Sequence, residues 1–356
     1  TFLGPSNVEA VDVARGPGGV AYGSDAFGGV ISVRTRRAEP LSPLRLRFTG
    51  SVAAGSPEQR GSLEVSKGFS TGGVLLQTHV RNAEDYRGPD GEDVFNSGWE
   101  DRGFLVRVEN RVGAGLWSAG LQSDFGRAIE RARNNSRTVR FYYPHENSHR
   151  FTTSYELNQV SGFSKVLFNG FFGAYEQRTD QDRFATATTG RRIDRADVSS
   201  NDFGVRATAE RFGWPAKIEL GVDINGRVGL EALDISLADD LHGAESLSRT
   251  SVSVDHATRL DTGAFLQTEV SPASRVSLAG GVRIDRITTE NRGGYFGDRS
   301  TSIAAGSGFG SITVEPGRGL SLTAQVSRGF RDATLSDRYY RGPTGRGFLT
   351  GNPDLA

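Results

Sequence analysis

Residues 8–35 read VEAVDVARGPGGVAYGSDAFGGVISVRT, and this stretch decides the interpretation of the fold. Its two valine-rich ends predict short β-strands. Between them, a Gly-Pro turn, a run of small residues and a Gly-Gly pair mark tight backbone paths with positive φ angles. The stretch therefore predicts a strand–turn–strand unit, which differs in pattern from the longer segments that follow it.

Those longer segments alternate apolar and polar residues with a period of two. The alternation is clearest over 217–225, where Ile218 and Val222 fall on one face and Lys217 and Asp223 fall on the other. A period of two predicts a strand with one apolar and one polar face. The same period appears in four other segments, at 74–81, 104–109, 276–285 and 320–327.

The connections between about thirteen predicted strands alternate in length. A soluble antiparallel sheet also alternates apolar and polar residues, but it has no reason to keep short turns at one end and long loops at the other. That asymmetry is typical of an outer-membrane β-barrel. The short turns are predicted near 70–73, 113–115, 159–162, 212–215, 271–274 and 316–319, and the long loops near 85–98, 127–147, 178–199, 228–257, 288–300 and from 331 onward.

An odd number of strands does not close a single-chain bacterial barrel, and an open sheet edge in lipid leaves backbone groups without hydrogen bonds. We therefore expect the natural chain to continue beyond Ala356. The sequence begins with Thr1 and contains no methionine, so its N-terminus is also expected to be artificial.

Composition excludes several classes of protein. The 42 basic and 42 acidic residues balance, whereas a nucleic-acid-binding protein would show a basic excess. Cysteine is missing from the sequence, which excludes disulfides and thiolate metal sites. The mean hydropathy is −0.41, and no apolar run reaches the ~18 residues of a transmembrane helix. Barrel strands remain compatible with this value, because they need an apolar residue only at every second position.

The glycine-rich stretch, placed before a predicted barrel, resembles the end of the plug domain of TonB-dependent outer-membrane receptors. Two positions depart from the family pattern: Asp12 replaces the usual Glu, and Ala14 replaces a larger apolar residue. The positions in register with the family motif are Arg15, Gly16, Pro17, Tyr22, Gly23, Ala26, Gly28, Gly29, Val30 and Ile31.

A second resemblance to the same family lies near the other end, over 326–339 and 351–355. The family usually has an Ala-Pro pair where this chain has Asp332 and Ala333, so a rigid turn is expected to be weaker here.

The resemblance implies an all-β chain: the end of a plug over 1–38, and over 39–356 part of a transmembrane antiparallel barrel of about 22 strands. It implies a Gram-negative outer-membrane location, contact with lipid, and energy-coupled uptake of a small-molecule nutrient. A ferric siderophore is the leading candidate, and cobalamin, haem or an oligosaccharide are alternatives. The inner-membrane TonB complex would act through a TonB box upstream of Thr1. Enzymatic chemistry, a cofactor and nucleic-acid binding are not expected.

The resemblance also implies a role for Arg15, whose family counterpart pairs with glutamates of the inner barrel wall. A guanidinium holds two carboxylates through its planar fork of donors. Glu219 and Glu269, on predicted polar strand faces, are possible partners. A solvated surface arginine is the alternative. Gly16, Gly28 and Gly29 are interpreted as residues that allow tight backbone conformations, and not as ligand contacts.

Aromatic residues with arginine suit a bulky anionic chelate, through stacking and charge. The best such cluster is predicted at the end of the 127–147 loop. Aromatic residues near strand ends more often form the interfacial girdle, which is the competing interpretation. The candidates are Arg140, Phe141, Tyr142 and Tyr143, then Tyr86 and Trp99, with Tyr295 and Phe296 comparable to the last two.

Three other motifs are interpreted conservatively. His145 and His149 match the H-E-x-x-H zinc pattern, but Pro144 and the strand that follows argue against the helix that a zinc peptidase needs. His242 and His256 are predicted to be solvated in a polar loop. The glycines of 306–310 indicate a bend or a close plug contact.

Three functions compete with a receptor. A passive porin-like channel is disfavoured by the plug motif, and an extracellular adhesin by the asymmetric connections. An outer-membrane sensor would need a further N-terminal signalling domain, and this stretch of chain cannot show whether there is one.

Overall fold

Among the described residues, thirteen antiparallel strands form one sheet, in which each strand pairs with its neighbours in sequence. The computed structural model describes residues 7–15, 19–24, 26, 29–53, 57–132, 136–213, 216–239, 245–317, 319–344 and 347–355. The predicted number of barrel strands is therefore confirmed. The strands are β3 (Arg45–Ala53), β4 (Glu58–Gly68), β5 (Gly72–Ala83), β6 (Trp99–Val112), β7 (Gly115–Glu130), β8 (Val139–Val160), β9 (Phe163–Arg183), β10 (Arg192–Gly213), β11 (Ala216–Asp239), β12 (Glu245–Ala273), β13 (Val276–Arg292), β14 (Asp298–Gly317) and β15 (Leu320–Arg328).

The N-terminal unit is a separate two-stranded sheet. Strand β1 (Val8–Arg15) pairs antiparallel with β2 (Gly29–Thr35), and the short helix α1 (Gly19–Tyr22) lies between them in sequence. Gly23 and Gly29 have φ angles of +87° and +139°, which glycine adopts without the steric cost that other residues meet. The two predicted strands are confirmed, whereas the Gly-Pro turn lies outside the described residues and a domain boundary at residue 38 stays a prediction.

The two faces of the large sheet have opposite chemistry. On β13, Val282 and Ile284 are 63% and 71% exposed, whereas Arg283 and Asp285 between them are 3% and 6% exposed. Apolar side chains thus point away from the enclosed side, and charged ones point into it. This is the arrangement of a barrel wall with lipid outside and a polar lumen inside.

The described short turns lie near their predicted positions, and the loop predicted at 85–98 lies between β5 and β6, but the other long loops before residue 331 are shorter than predicted. Strand β8 begins at Val139, β10 begins at Arg192 and β11 continues to Asp239, so much of the predicted loops 127–147, 178–199 and 228–257 is strand. Strand β12 has 29 residues, whereas a membrane crossing needs about 10. The strands therefore continue past the membrane into a tall rim on the long-loop side.

The predicted loop from 331 onward is instead a folded segment packed on the wall. It contains helix α2 (Leu335–Tyr339), β16 (Arg341–Thr344) and β17 (Gly347–Thr350). Thr334 caps α2, and its hydroxyl accepts a hydrogen bond from the Asp337 amide at 3.1 Å. A buried apolar cluster joins this segment to β11 and β12 and consists of Leu230, Ala232, Val254, Ala257, Leu335, Tyr339 and Tyr340.

A buried ion pair stabilises the turn at which the family usually has a proline. Asp332 accepts a hydrogen bond from Arg338 Nη2 at 2.8 Å, and both side chains are 1% exposed. A salt bridge therefore fixes the turn that the sequence predicted to be weak. Among the described residues, no helix is long and apolar enough to cross a membrane.

Candidate functional site

The first candidate site is the contact between α1 and the inner wall. Arg206 of β10 donates a hydrogen bond to the carbonyl oxygen of Ala21. Arg259 Nη2 donates to the Ser24 hydroxyl at 3.2 Å, and the Ser307 hydroxyl donates to the Gly19 carbonyl at 3.4 Å. The N-terminal unit thus offers only neutral acceptors at these three contacts.

Two arginines near this contact, Arg259 and Arg283, pair with carboxylates of the wall itself. Arg283 donates to both oxygens of Asp223, at 2.8 and 2.7 Å, and its Nε donates to Asp285 at 2.8 Å. Arg259 similarly donates to Asp261 at 2.9 Å. Moving α1 away therefore leaves both Arg259 and Arg283 with their carboxylate partners. Burying an unpaired charge would otherwise oppose such a movement.

Aromatic and backbone contacts complete the docking of α1. The Arg206 guanidinium lies 5.4 Å from the ring centroid of Tyr22 and 4.8 Å from that of Phe265. A Cβ atom at Gly23 would lie 3.3 Å from Arg283 Nη2, so glycine allows the close approach. The Ser307 contact confirms that the glycine-rich 306–310 segment approaches the N-terminal unit.

The second candidate site is a cavity at the rim, with a volume of about 420 Å³. Asp194 lies on β10 an even number of residues from Arg206, so both side chains face the side on which α1 docks. Asp234 lies near the far end of β11, beyond the ~10 residues that cross the membrane. The charged lining residues are Arg183, Arg192, Asp194, Arg195, Asp234, Arg249 and Arg341, and Phe348 closes one side.

Two of the five arginines lack an ion pair among the described residues. Asp194 pairs with Arg183 and Arg192, and Arg195 pairs with Asp180. Arg249 and Arg341 form no such pair in the described part of the chain. These two guanidinium groups are therefore available to an anion that enters the cavity.

Aromatic rings hold one of the two available arginines in place. The Arg341 guanidinium lies 4.3 Å from the ring centroid of Tyr295 and 5.3 Å from that of Phe348. Its backbone amide also donates to the Ser253 hydroxyl at 2.7 Å. A guanidinium oriented in this way loses less conformational entropy when it binds a ligand.

Asp234 opposes the positive charge of the arginines in this cavity. Its Oδ1 is buried and has no hydrogen-bond partner. Burial raises the pKa of Asp234 to about 6, although the nearby Arg341 and Arg249 act to lower it. The charge of the cavity therefore becomes more positive as the pH falls from 7 to 5.

Comparison with known proteins places these sites in a family. A family profile described as TonB dependent receptor-like, beta-barrel, matches residues 68–356. The chain belongs to the TonB-dependent receptor family. Receptors of this family lie in the outer membrane of Gram-negative bacteria and are not enzymes.

Similar proteins differ in their named substrates. The chain is 36% identical over 101 residues to the vitamin B12 transporter BtuB of Vibrio vulnificus (strain CMCP6), which covers 28% of this chain and 16% of that protein. The structure of the copper transporter OprC has a TM-score of 0.77 at 18% identity, covering 94% of this chain and 52% of OprC. The siderophore receptor PiuA from Acinetobacter baumannii has a TM-score of 0.70 at 12% identity, covering 99% of this chain and 56% of PiuA.

The chain spans about half the length of these solved receptors and a smaller share of the vitamin B12 transporter. At such identities, the structural matches establish the fold of the receptor but not its substrate.

Part of the predicted plug motif lies outside the described residues: Gly16, Pro17, Gly28 and the side chain of Arg15. The lock between Arg15 and wall glutamates stays a prediction. Glu219 accepts a hydrogen bond from Gln267 at 2.6 Å, and Glu269 accepts one from Ser277 at 3.1 Å. Tyr22 and Gly23, by contrast, are part of the described contact with the wall.

The predicted aromatic cluster of the receptor lies in β8 rather than in a loop. Because side chains alternate along a strand, its members divide between two faces. Phe141 and Tyr143 are buried on one face, with ring centroids 6.0 Å apart. Arg140 stacks on Tyr142 at 4.1 Å on the other face and pairs with Glu130 at 2.5 Å. The single-cluster prediction was wrong, and a ligand role for each residue stays a prediction.

The two weaker candidates lie on the β5–β6 side of the receptor. The Tyr86 amide donates to the Ser97 hydroxyl at 3.0 Å, and Trp99 begins β6 beneath the Arg81 guanidinium at 5.1 Å. Tyr86 and Trp99 do not line the rim cavity. Asp234, Arg249 and Arg341 were not predicted from the sequence, because they become neighbours only through pairing of distant segments.

The structure tests the predictions made for two of the histidine motifs. The H-E-x-x-H segment is part of β8, which confirms that it does not form the helix of a zinc peptidase. His256 was predicted to be solvated alone in a polar loop; its exposure is confirmed, but its isolation and its position in a loop were wrong. It lies in β12, with Nε2 2.8 Å from Glu231 and Nδ1 2.6 Å from Asp255, and it remains exposed. His242 lies outside the described residues.

Proposed function

We propose that this chain is part of a receptor that binds an anionic metal chelate of the ferric siderophore type and imports it across the outer membrane. The observation that carries the proposal is the rim cavity, where Arg249 and Arg341 lack carboxylate partners among the described residues. The cavity opens on the face of the wall that also holds α1.

The chemistry of the cavity supports an anionic, partly aromatic ligand. Arginine forks bind carboxylate and similar oxygen pairs through two parallel hydrogen bonds. The rings of Tyr295 and Phe348 beside Arg341 offer stacking surfaces to a planar chelating group. A volume of about 420 Å³ lies within the range of small-molecule pockets.

The contact of α1 supports import by displacement of the plug. Its three hydrogen bonds to Arg206, Arg259 and Ser307 use neutral acceptors, so a pulling force breaks them without separating opposite charges. The inner-membrane TonB complex is the proposed source of that force, and a TonB box in another part of the natural protein is its proposed attachment point.

Cobalamin is the second candidate ligand. It is favoured by the 36% identity to the vitamin B12 transporter over 101 residues. A corrinoid presents mainly amide groups and would make less use of two unpaired arginines than an anionic chelate would. Haem and oligosaccharides stay further alternatives.

The test is ligand binding by the complete receptor purified in detergent. Catecholate, hydroxamate and carboxylate ferric chelates, haem and cyanocobalamin are titrated by intrinsic fluorescence quenching. We expect one chelate class to bind, and the double substitution R249A/R341A to weaken its binding at least tenfold, since a hydrogen bond to a charged group contributes roughly 1.5–3 kcal/mol.

Arg87→Ala is the matched control, because Arg87 lies in the β5–β6 loop and forms an exposed pair with Asp93 at 3.3 Å. Its effect is expected to be negligible. Binding of cyanocobalamin alone would favour the second candidate. Chelate binding that is equal in R249A/R341A and R87A would overturn the proposed role of the rim cavity.

A further inference from the structure

Two carboxylates and an imidazole meet on the rim of the receptor. One ligand atom each from Glu231, Asp255 and His256 lies within 4.8 Å of the other two, and the described residues hold no other such three-ligand group. His256 lies in the first half of β12, far from the short turn after Ala273 and beyond the ~10 residues that cross the membrane. The group is therefore exposed to the medium around the cell and not to lipid.

A β-bulge between β11 and β12 brings the three groups together. Glu231 is a single residue that faces two residues, Asp255 and His256, on the partner strand. His256 has a φ angle of +48°, in the left-handed region, which accommodates the extra residue. Bulges redirect side chains and are common next to functional sites. The pairs on either side of the bulge are Leu230 with Ala257 and Ala232 with Val254.

The base of the bulge is rigid because the other face of the sheet is packed. Leu230 and Ala232, on either side of Glu231, are 4% and 1% exposed and belong to the buried cluster with α2. Since side chains alternate along a strand, Glu231 points to the opposite, outer face of the sheet. Ligands that start from packed strands lose little conformational entropy when an ion binds.

Strand β13 positions Asp255 from the side. The Asp255 amide donates to Asn291 Oδ1 at 3.4 Å, and Asn291 in turn donates to the Gly297 carbonyl at 2.8 Å. A Cβ atom at Gly293 would lie 2.8 Å from Asp255 Oδ2, so glycine leaves the space that this carboxylate occupies. Contacts around a ligating carboxylate orient it and raise its affinity for a metal ion.

The two carboxylates differ from other rim carboxylates in their partners. Asp180 and Asp182 each pair with an arginine. In the described part of the chain, Glu231 and Asp255 form ion pairs with His256 alone.

The group has an excess of negative charge. Arg292 is near enough to act on the charge of His256, and it offsets part of the charge of the two carboxylates. With a neutral imidazole, two carboxylates still exceed one guanidinium. This excess favours a cation at the bulge.

The distances leave one ring nitrogen of His256 for an ion. Nδ1 lies 2.6 Å from Asp255 Oδ1, and Nε2 lies 2.8 Å from Glu231 Oε1. In a neutral imidazole, one nitrogen ligates and the other keeps its proton, which solvent can accept because the side chain is 60% exposed. Ligands about 2.0–2.2 Å from one ion are further apart than these contacts, so the exposed carboxylates move outward by less than about 1 Å.

We propose that one ring nitrogen of His256 and carboxylate oxygens of Glu231 and Asp255 bind a divalent transition-metal ion such as Zn²⁺, with water in the remaining positions. Imidazole suits Zn²⁺ and Cu²⁺, whereas Ca²⁺ and Mg²⁺ require more oxygen ligands. The ion joins β11 to β12, the two strands that carry Asp234 and Arg249 of the rim cavity. The site does not depend on which nutrient the receptor imports.

The test uses the complete receptor without a histidine tag, stripped of metal. Zn²⁺ is titrated by calorimetry, and Cu²⁺ is followed by electron paramagnetic resonance. His256→Asn removes the imidazole, and asparagine tolerates the positive φ angle of the bulge. We expect this variant to bind one equivalent of Zn²⁺ fewer than the unmodified receptor and to lose the hyperfine signal of one imidazole nitrogen. Glu231→Gln and Asp255→Asn keep the side-chain size and should each weaken binding roughly tenfold, because a ligand charge is lost.

His149→Asn is the matched control. His149 Nδ1 lies 3.0 Å from the Ser123 hydroxyl, and His149 belongs to no three-ligand group among the described residues. This variant should bind Zn²⁺ as the unmodified receptor does. Heat-modifiable migration on gels verifies that each variant retains its barrel. Unchanged Zn²⁺ binding by folded His256→Asn would overturn the proposal, as would full affinity in both carboxylate variants or an equal loss in His149→Asn.

Discussion

Replacing Arg283 by methionine is expected to destabilise the barrel strongly. The guanidinium makes three hydrogen bonds to Asp223 and Asp285, and its side chain is 1% exposed. Methionine has a similar length but leaves two buried carboxylates facing each other. Removing one partner of a buried charge network costs about 3–5 kcal/mol, and the lower end applies to a wall beside a polar lumen.

The measurement is the thermal unfolding of the complete receptor in detergent, followed by heat-modifiable migration and circular dichroism. The triple variant R283M/D223N/D285N removes all three charges and should recover most of the lost stability. Arg87→Met breaks an exposed pair and should change the free energy of unfolding by less than about 1 kcal/mol. If R283M unfolds at the same temperature as R87M, the buried charge network does not stabilise the wall.

Three further outcomes follow from the structure. Gly263→Ala should lower stability about as much as R283M, since its Cβ would lie 1.9 Å from Arg283 Nη2, whereas Gly310→Ala meets no atom within 4 Å and should be neutral in the same unfolding assay. Arg206→Ala should loosen α1, seen as faster proteolytic cleavage there, and an unchanged cleavage rate would contradict the docking role. Asp234, with a pKa of about 6, is ionised at pH 7 and protonated at pH 5. Binding of an anionic chelate should therefore strengthen roughly fivefold as the pH falls, as expected for removal of about 1 kcal/mol of repulsion, and Asp234→Asn should abolish this dependence.

The thirteen strands and their faces were predictable because the period of two is a local property of the sequence. Val282 and Ile284 alternate with Arg283 and Asp285, and the pattern alone separates the lipid side from the lumen side. The short turns were predictable for the same reason, since glycine, proline and serine mark them locally.

The height of the rim was not predictable from that pattern. Above the membrane, the outer face of the sheet does not contact lipid, so apolar residues are not required there. Segments with charged residues on both faces were therefore interpreted as loops. In the structure they are paired across strands, as Asp180 with Arg195 at 2.8 Å and Arg178 with Asp197 at 2.6 Å. Strand extensions stabilised by ion pairs carry no hydrophobic period that a sequence analysis can detect.

The rim cavity could not be predicted because its members are far apart in sequence. Asp234 and Arg249 come from neighbouring strands, while Arg341 belongs to a segment that folds back over them. The glycine motif predicted two short strands by itself, but it indicated a function only through its resemblance to a family.

The most direct test of the central claim is uptake of labelled ferric siderophores and cobalamin by cells carrying the complete gene, with and without a collapsed proton motive force. We expect one anionic ferric chelate to be taken up only by energised cells, and less rapidly when R249A/R341A is introduced. Uptake of that chelate at the same rate in de-energised cells would indicate a passive pore and contradict the account.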